Sequence, residues 1–371
     1  MFTLSKENKE KFQQQVNNIN QHDESKVRQN IEKEISILEN KIKKRPSHKL
    51  EHLIENTKLL YEILSRKDFP ISESTRKWIV FGLGYLISDI DLIPDSIPGI
   101  GYLDDAMIVS WVLNMIDQDV TRFEYFKKAK KYAQEGNILK ELVQGNGEQL
   151  IILIPGFLEN SRNEKEDTKW LKSLRSIEHK YLSTGYSLLS WNIAYLPEFS
   201  NTITLIDHKL SLKPQYDSEA FGIEWQQLKL DMKNLGMALL KDIKTIIKTN
   251  PEKEIIIIAI NIGSIAVTKA LSELEDGSIS RLFLLGATST EDEIQRSIFG
   301  KSNYIYNIYS ANDHAIKFIY DNYEEGSTAC GLKFIRSSSK SLVKNIDAGK
   351  QIARHHEYRY ELSSLIIQSL E

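Results

Sequence analysis

Apolar residues follow two different rhythms along this chain. Over roughly the first 70 positions they recur every three or four residues: Ile31, Ile35, Leu38 and Ile42, then Leu53, Ile54, Leu59, Leu60 and Ile63, with Lys, Glu, Gln and Asn between them. That spacing lines one stripe of a helix and predicts two or three amphipathic helices, broken near Arg45-Pro46. Pro70 and Ser72-Glu73-Ser74 supply a loop and a cap for a more apolar helix from about Arg76. From Val120 to Lys140 the pattern is polar and helical. After Gly147 it changes to short β-branched runs alternating with helical stretches, the mark of a parallel sheet with crossover helices. The expected strands are 149–154, 187–191, 254–260, 281–285 and 304–309. Gly136-Asn137 and Gly145-Asn146-Gly147 lie between the two rhythms, so the domain boundary is expected there. The fold class is α + α/β, with an all-helical domain over residues 1–140 and a parallel-sheet domain over 147–371.

Composition narrows this little. The 371 residues carry a formal net charge of −3, and 27% are charged. Nothing in that balance points to nucleic acid. Cys330 is the single cysteine, which excludes an intrachain disulfide and a multi-cysteine zinc site, and a buried inert thiol is its expected role. The first residues run at once into a polar segment with no readable signal peptide, and a cytoplasmic protein, peripherally membrane-bound at most, is the expectation. The longest apolar run, Trp78 to Ile87, is about half of the roughly 20 residues a spanning helix needs.

Between the apolar helices lies Asp89-Ile90-Asp91-Leu92-Ile93-Pro94-Asp95-Ser96-Ile97-Pro98-Gly99-Ile100-Gly101-Tyr102-Leu103-Asp104-Asp105. Two prolines and two glycines make a rigid bend, and Asp91 and Asp104 are expected to cap the helical turns after them. Five aspartates could also form a hard-cation site, although capping and turns account for them without a metal. This string resembles the signature of the YkvA-like family of small helical domains of unknown function, over about residues 50–125. The departure is Asp89, which stands where that family commonly has proline. The resemblance implies a fold and almost no chemistry.

The second half carries a chemical pattern. Leu150 to Ile154 leads into Pro155-Gly156-Phe157, where a backbone N–H could serve an oxyanion hole or simply form a turn. Tyr309-Ser310-Ala311-Asn312-Asp313 places a carboxylate after a late strand, and Arg354-His355-His356-Glu357-Tyr358 places a histidine in the last loop. The order nucleophile, acid, histidine is that of an α/β-hydrolase. Together these segments resemble an α/β-hydrolase family of unknown function found in transmembrane and coiled-coil domain proteins. On its pattern Trp191, Trp225, Gly286, Asp313, Asn345, Asp347 and His355 fall on matching positions, with Tyr358 three residues later.

One position departs. The elbow of that fold reads small-x-Ser-x-Gly, and here Ala259 and Gly263 supply the small residues while Asn261 stands where the serine belongs. An amide cannot be the nucleophile of acyl transfer. Asp313 and His355 would then persist as a hydrogen-bonded lock between loops. Asn261 could hold a carboxylate, ester carbonyl or phosphate beside a helix N-terminus, or act only as a helix N-cap. Gly156, Phe157 and Gly263 would complete a binding site around it. The competing reading is an active serine esterase or lipase with Ser264 as a displaced nucleophile acting with Asp313 and His355. Adjacent His355 and His356 cannot make a helical two-histidine metal pair, and no metal or other cofactor is implied.

The cluster Lys41, Lys43, Lys44, Arg45 and Lys49 could meet an anionic membrane surface, and Lys43, Lys44, Arg45 and Trp78 are the candidate membrane or partner contacts. The function expected is a non-catalytic hydrolase-fold sensor or adaptor. Its partner would be a lipid-like or acyl ligand, a partner protein or a second copy of the chain.

Overall fold

The computed structural model describes residues 5–44, 46–88, 102–156, 172–174, 177, 187–191, 218–337 and 341–371, the side chains of 187–191 excepted. The chain divides into two compact units, Met1–Phe126 and Lys127–Glu371. The division falls inside a helix rather than in the glycine-rich stretch beyond it.

The first unit is helical: α1 (Lys6–Asn17), α2 (Gln21–Lys44), α3 (His48–Ser65), α4 (Glu73–Leu86), α5 (Leu103–Met115) and the start of α6 (Asp117–Glu135). The break at Arg45-Pro46 falls between α2 and α3, and Ser72 caps α4 by accepting a hydrogen bond from Thr75 N at 3.0 Å. The apolar stripe of α2 is buried through Val27, Ile31, Ile35 and Leu38, as its helical spacing requires. On α4, Gly82 lets α5 approach so closely that an added Cβ would stand 3.0 Å from Val112 Cγ2.

Two expectations for this unit are corrected. Trp78 is not a surface contact: it is buried and packs edge to face on Trp111, ring centroids 5.1 Å apart. Asp104 does not cap α5. Tyr102 occupies the cap position in a left-handed conformation (φ 66°), and Asp104 lies in the first turn, buried, accepting a hydrogen bond from Tyr85 Oη at 2.9 Å. Asp89, Asp91 and Asp95 lie outside the described residues, as does Arg45, while Lys43 and Lys44 are exposed at the end of α2. Among the described residues no helix is long and apolar enough to cross a membrane.

In the second unit a seven-stranded sheet has the order β1-β3-β2-β4-β5-β6-β7. The strands are β1 (Leu139–Val143), β2 (Gln149–Ile154), β3 (Ser187–Trp191), β4 (Glu254–Ile260), β5 (Ile279–Leu285), β6 (Ser302–Tyr309) and β7 (Leu342–Asp347). All pairings are parallel except β1 with β3. Strands β2 and β4 are almost wholly buried, which their uninterrupted Leu and Ile runs require of a sheet covered on both faces. The helices of this unit are α7 (Ser218–Thr249), α8 (Gly263–Leu271), α9 (Glu291–Ser297), α10 (His314–Tyr323), α11 (Glu357–Tyr360) and α12 (Leu362–Leu370). One sheet face packs Ile256, Ile258, Phe283 and Ile308 against Leu362, Leu365 and Ile366 of α12. Helices α7 and α8 pack on each other, Gly236 lying so close that a Cβ there would be 2.6 Å from Ala266 O.

The chain enters the sheet through a tight turn after α6. Gly136 and Asn137 both take positive φ, and the Asp242 carboxylate on α7 accepts from the backbone N–H groups of Asn137, Ile138 and Leu139 at 2.6, 2.8 and 3.1 Å. This acceptor supplies the hydrogen bonds that the helix end and first strand residue would otherwise lack.

Candidate functional site

Five parallel strands finish level. Ile154 lies opposite Ala259, Ile260 opposite Leu285, Leu285 opposite Ile308, and Tyr309 opposite Asp347. The residues just beyond β2, β4, β5 and β6 therefore emerge along one carboxyl edge, where open α/β sheets bind ligands.

Asn261 is the turn residue between β4 and α8, with φ 52°. This left-handed conformation is costly for most side chains but tolerated by asparagine. Its N–H donates to Leu285 O at 2.9 Å, and its carbonyl accepts from Ser264 N at 3.1 Å and Thr288 N at 3.3 Å, so the elbow backbone is tied to β5 on one side and to α8 on the other. Three glycines give it room. A Cβ on Gly263 would stand 2.7 Å from Ile154 O, and one on Gly156 would stand 2.7 Å from Asn261 Nδ2. Gly286, at φ 54°, lies between Asn261 and Tyr358: its Cβ would be 2.9 Å from Asn261 Oδ1 and 2.4 Å from Tyr358 Cε2. The amide is 2% exposed, and its Oδ1 has no hydrogen-bond partner among the described residues.

Asp313 and His355 are brought together across 42 positions of sequence. Asp313 Oδ2 lies 2.7 Å from His355 Nδ1, both side chains are fully buried, and Asp313 Oδ1 accepts from Ile316 N at 3.0 Å as the cap of α10. The loops carrying them are joined further by Ser310 Oγ to Ile352 O (2.7 Å) and Asn312 Nδ2 to Gly349 O (2.9 Å). The His355 ring stands edge-on to Tyr358, centroids 6.4 Å apart. Burial, and after it the charge of Asp313, push the Tyr358 phenol well above its ordinary range.

Ser264 is placed elsewhere. In the first turn of α8 it is fully buried, and its Oγ accepts from Ser289 N and Ser289 Oγ, both at 3.1 Å, with Thr288 Oγ1 at 3.4 Å. Thr268 Oγ1 extends the cluster to Ser289 Oγ at 3.0 Å. Among the described residues no hydrogen bond joins Ser264 to His355. This hydroxyl cluster escaped the sequence reading because Thr288 and Ser289 reach Ser264 only through the pairing of β5 with β4.

The remaining candidates divide. Gly156 and Gly263 pack directly on the elbow, while Phe157 lies outside the described residues. Asn345 is a structural clip, its amide bonded to both backbone groups of Ile335 at 2.8 Å. Asp347 accepts from Gly349 N at 2.9 Å. Trp225 is buried on α7 and donates to Glu324 at 2.6 Å. Among the described residues no group of three or more His, Cys, Asp or Glu is placed to hold a metal ion.

Comparisons with known proteins match the two halves separately. Residues 75–111 match a family described as protein of unknown function (DUF1232), and residues 225–370 match a second, described as protein of unknown function (DUF726). The uncharacterized membrane protein YkvA of Bacillus subtilis (strain 168) is 28% identical over 61 residues, 16% of this chain and 58% of YkvA, so the chain spans little more than half of that relative's length. An alpha-beta serine hydrolase homologue from Coxiella burnetii is similar in structure over 63% of this chain and 90% of its own, at 11% identity and a TM-score of 0.32. Trichoderma reesei cutinase, solved with a phosphonate inhibitor, is similar over 71% and 96%, at 13% identity and a TM-score of 0.30.

Proposed function

We propose that the sheet unit is a hydrolase-fold binding module that lacks a serine nucleophile and holds a lipid-like or acyl ligand, or a partner protein, at the carboxyl edge of its sheet. The observation that carries this reading is Asn261 at the elbow tip, in the left-handed turn conformation, with the Asp313–His355 pair retained. An amide at that place can hydrogen-bond an occupant but cannot form an acyl-enzyme. The burial of Ser264 among Thr288 and Ser289 weighs against the esterase reading, because its lone pairs already accept two hydrogen bonds. The resemblance of Gly286, Asp313, His355 and Tyr358 to the α/β-hydrolases of transmembrane and coiled-coil domain proteins agrees with a site that has kept its frame.

Fluorophosphonate labelling read by intact mass tests the reading on the wild type, Asn261→Ser and Ser264→Ala. The expected result is no adduct on the wild type and one adduct on Asn261→Ser. An adduct on the wild type that disappears in Ser264→Ala would overturn the proposal in favour of a serine esterase.

For the helical unit, the exposed Lys43 and Lys44 in the last turn of α2 support contact with an anionic membrane surface. Flotation with phosphatidylserine vesicles is expected to weaken when both are changed to Gln. Flotation that is absent, or unchanged in that variant, would sink this second reading.

A further inference from the structure

The hydrogen-bonding state of the elbow amide restricts what can sit beside it. Among the described residues the hydrogen bonds of Asn261 are made by its backbone, and Oδ1 of the side-chain amide is buried without a partner, the residue being 2% exposed. A primary amide offers two donors and two acceptor lone pairs, and burying it unpaired is costly. Around Gly286 the Tyr358 ring edge and Asn261 Oδ1 approach the same point.

Resting on the binding role proposed above, we infer that the occupant beside Asn261 is a neutral acyl amide or alcohol, which presents an N–H or O–H donor together with an oxygen acceptor. An ester carbonyl, a carboxylate or a phosphate dianion offers acceptors alone and leaves Asn261 Oδ1 unpaired. The local field points the same way. Burial and the Asp313 carboxylate oppose a negative charge on the Tyr358 oxygen, and they would oppose a ligand carboxylate placed there for the same reason. Such an occupant differs from the carboxylate, ester or phosphate expected from the sequence. It also distinguishes this elbow from a serine elbow, which is built to receive an acyl carbonyl.

The test uses the full chain and four probes of one chain length: decanamide, 1-decanol, methyl decanoate and decanoate, titrated by calorimetry below their aggregation limits. Decanamide and decanol are expected to bind at least tenfold more tightly than the ester and the acid, because a buried acceptor left unpaired discriminates strongly. In Asn261→Gly, which suits the positive φ and removes only the amide, that gap is expected to fall below threefold. Asn261→Asp, which keeps the shape and loses the donor, should weaken decanamide in particular. Equal binding of all four probes, or tighter binding of ester or acid, would overturn the inference and leave the acyl-binding reading in place. Binding of none would remove the acyl-binding reading and the inference with it.

Discussion

Asp313 and His355 are locked to each other at 2.7 Å with no solvent exposure of either side chain, and the same carboxylate caps α10 through Ile316 N. One residue therefore joins the end of β6 to the C-terminal segment and starts a helix. Removing one member of a buried charged or hydrogen-bonded pair typically costs about 3–5 kcal/mol. Asp313→Ala is expected to fall in that range in urea denaturation, and Asp313→Asn, which keeps an acceptor for the cap, to lose less. Equal losses would mean that the pairing with His355, and not the cap, carries the stability.

The glycines at Gly286 and Gly326 provide a matched comparison. Both have positive φ, but a Cβ at Gly286 collides with Tyr358, whereas one at Gly326 meets nothing within 4 Å. Gly326→Ala should cost only the backbone term, about 1 kcal/mol. Gly286→Ala should cost about 3 kcal/mol or more, since overpacking is added to strain, and should displace Asn261 and Tyr358. Thermal unfolding of the two variants side by side checks the difference.

Stability at acid pH should depend on Glu254 at the start of β4. Burial raises its carboxyl, but hydrogen bonds from Ser280 and Gln149 and the charge of Arg281 outweigh that and hold it below the ordinary carboxylate value. A depressed folded-state value gives stability that is present above the unfolded pKa and lost as pH falls through the folded one. Denaturation midpoints measured from neutral pH down towards 3 are therefore expected to fall less steeply in Glu254→Gln than in the wild type. Parallel curves would show that the group contributes nothing to the acid limb.

Cys330 tests the compactness of the second unit chemically. The thiol is buried in a short 3₁₀ turn, and burial pushes it far above its ordinary value. The native protein is expected to react with Ellman's reagent only on the time scale of unfolding, and one thiol per chain to appear at once in denaturant. Rapid labelling of the native protein would show that the loop opens locally.

The sheet was legible from sequence at its centre and not at its rims. Strands β2 and β4 are continuous apolar runs, because both of their faces are covered. The two strands without such a signal, Leu139–Val143 and Leu342–Asp347, are the two edges of the sheet. Their charged and amide residues, among them Lys140, Glu141, Lys344 and Asn345, sit where one side meets solvent. The site divides in a similar way. Asn261, Asp313 and His355 could be read because they occupy ordered positions in a strand-turn-helix pattern. The cluster that holds Ser264, and the Asp242 clamp on residues 137–139, are made by partners 24 to 105 positions away and have no local signature.

The elbow conformation also has a genetic consequence. Asparagine codons of the form AAY and serine codons of the form AGY differ by one transition. The backbone at position 261 already adopts the turn, with Gly156, Gly263 and Gly286 shaped around it. In mutational terms the forms with and without a hydroxyl at the tip are immediate neighbours. A population carrying this gene would sample the serine form repeatedly, without first having to rebuild a fold around it.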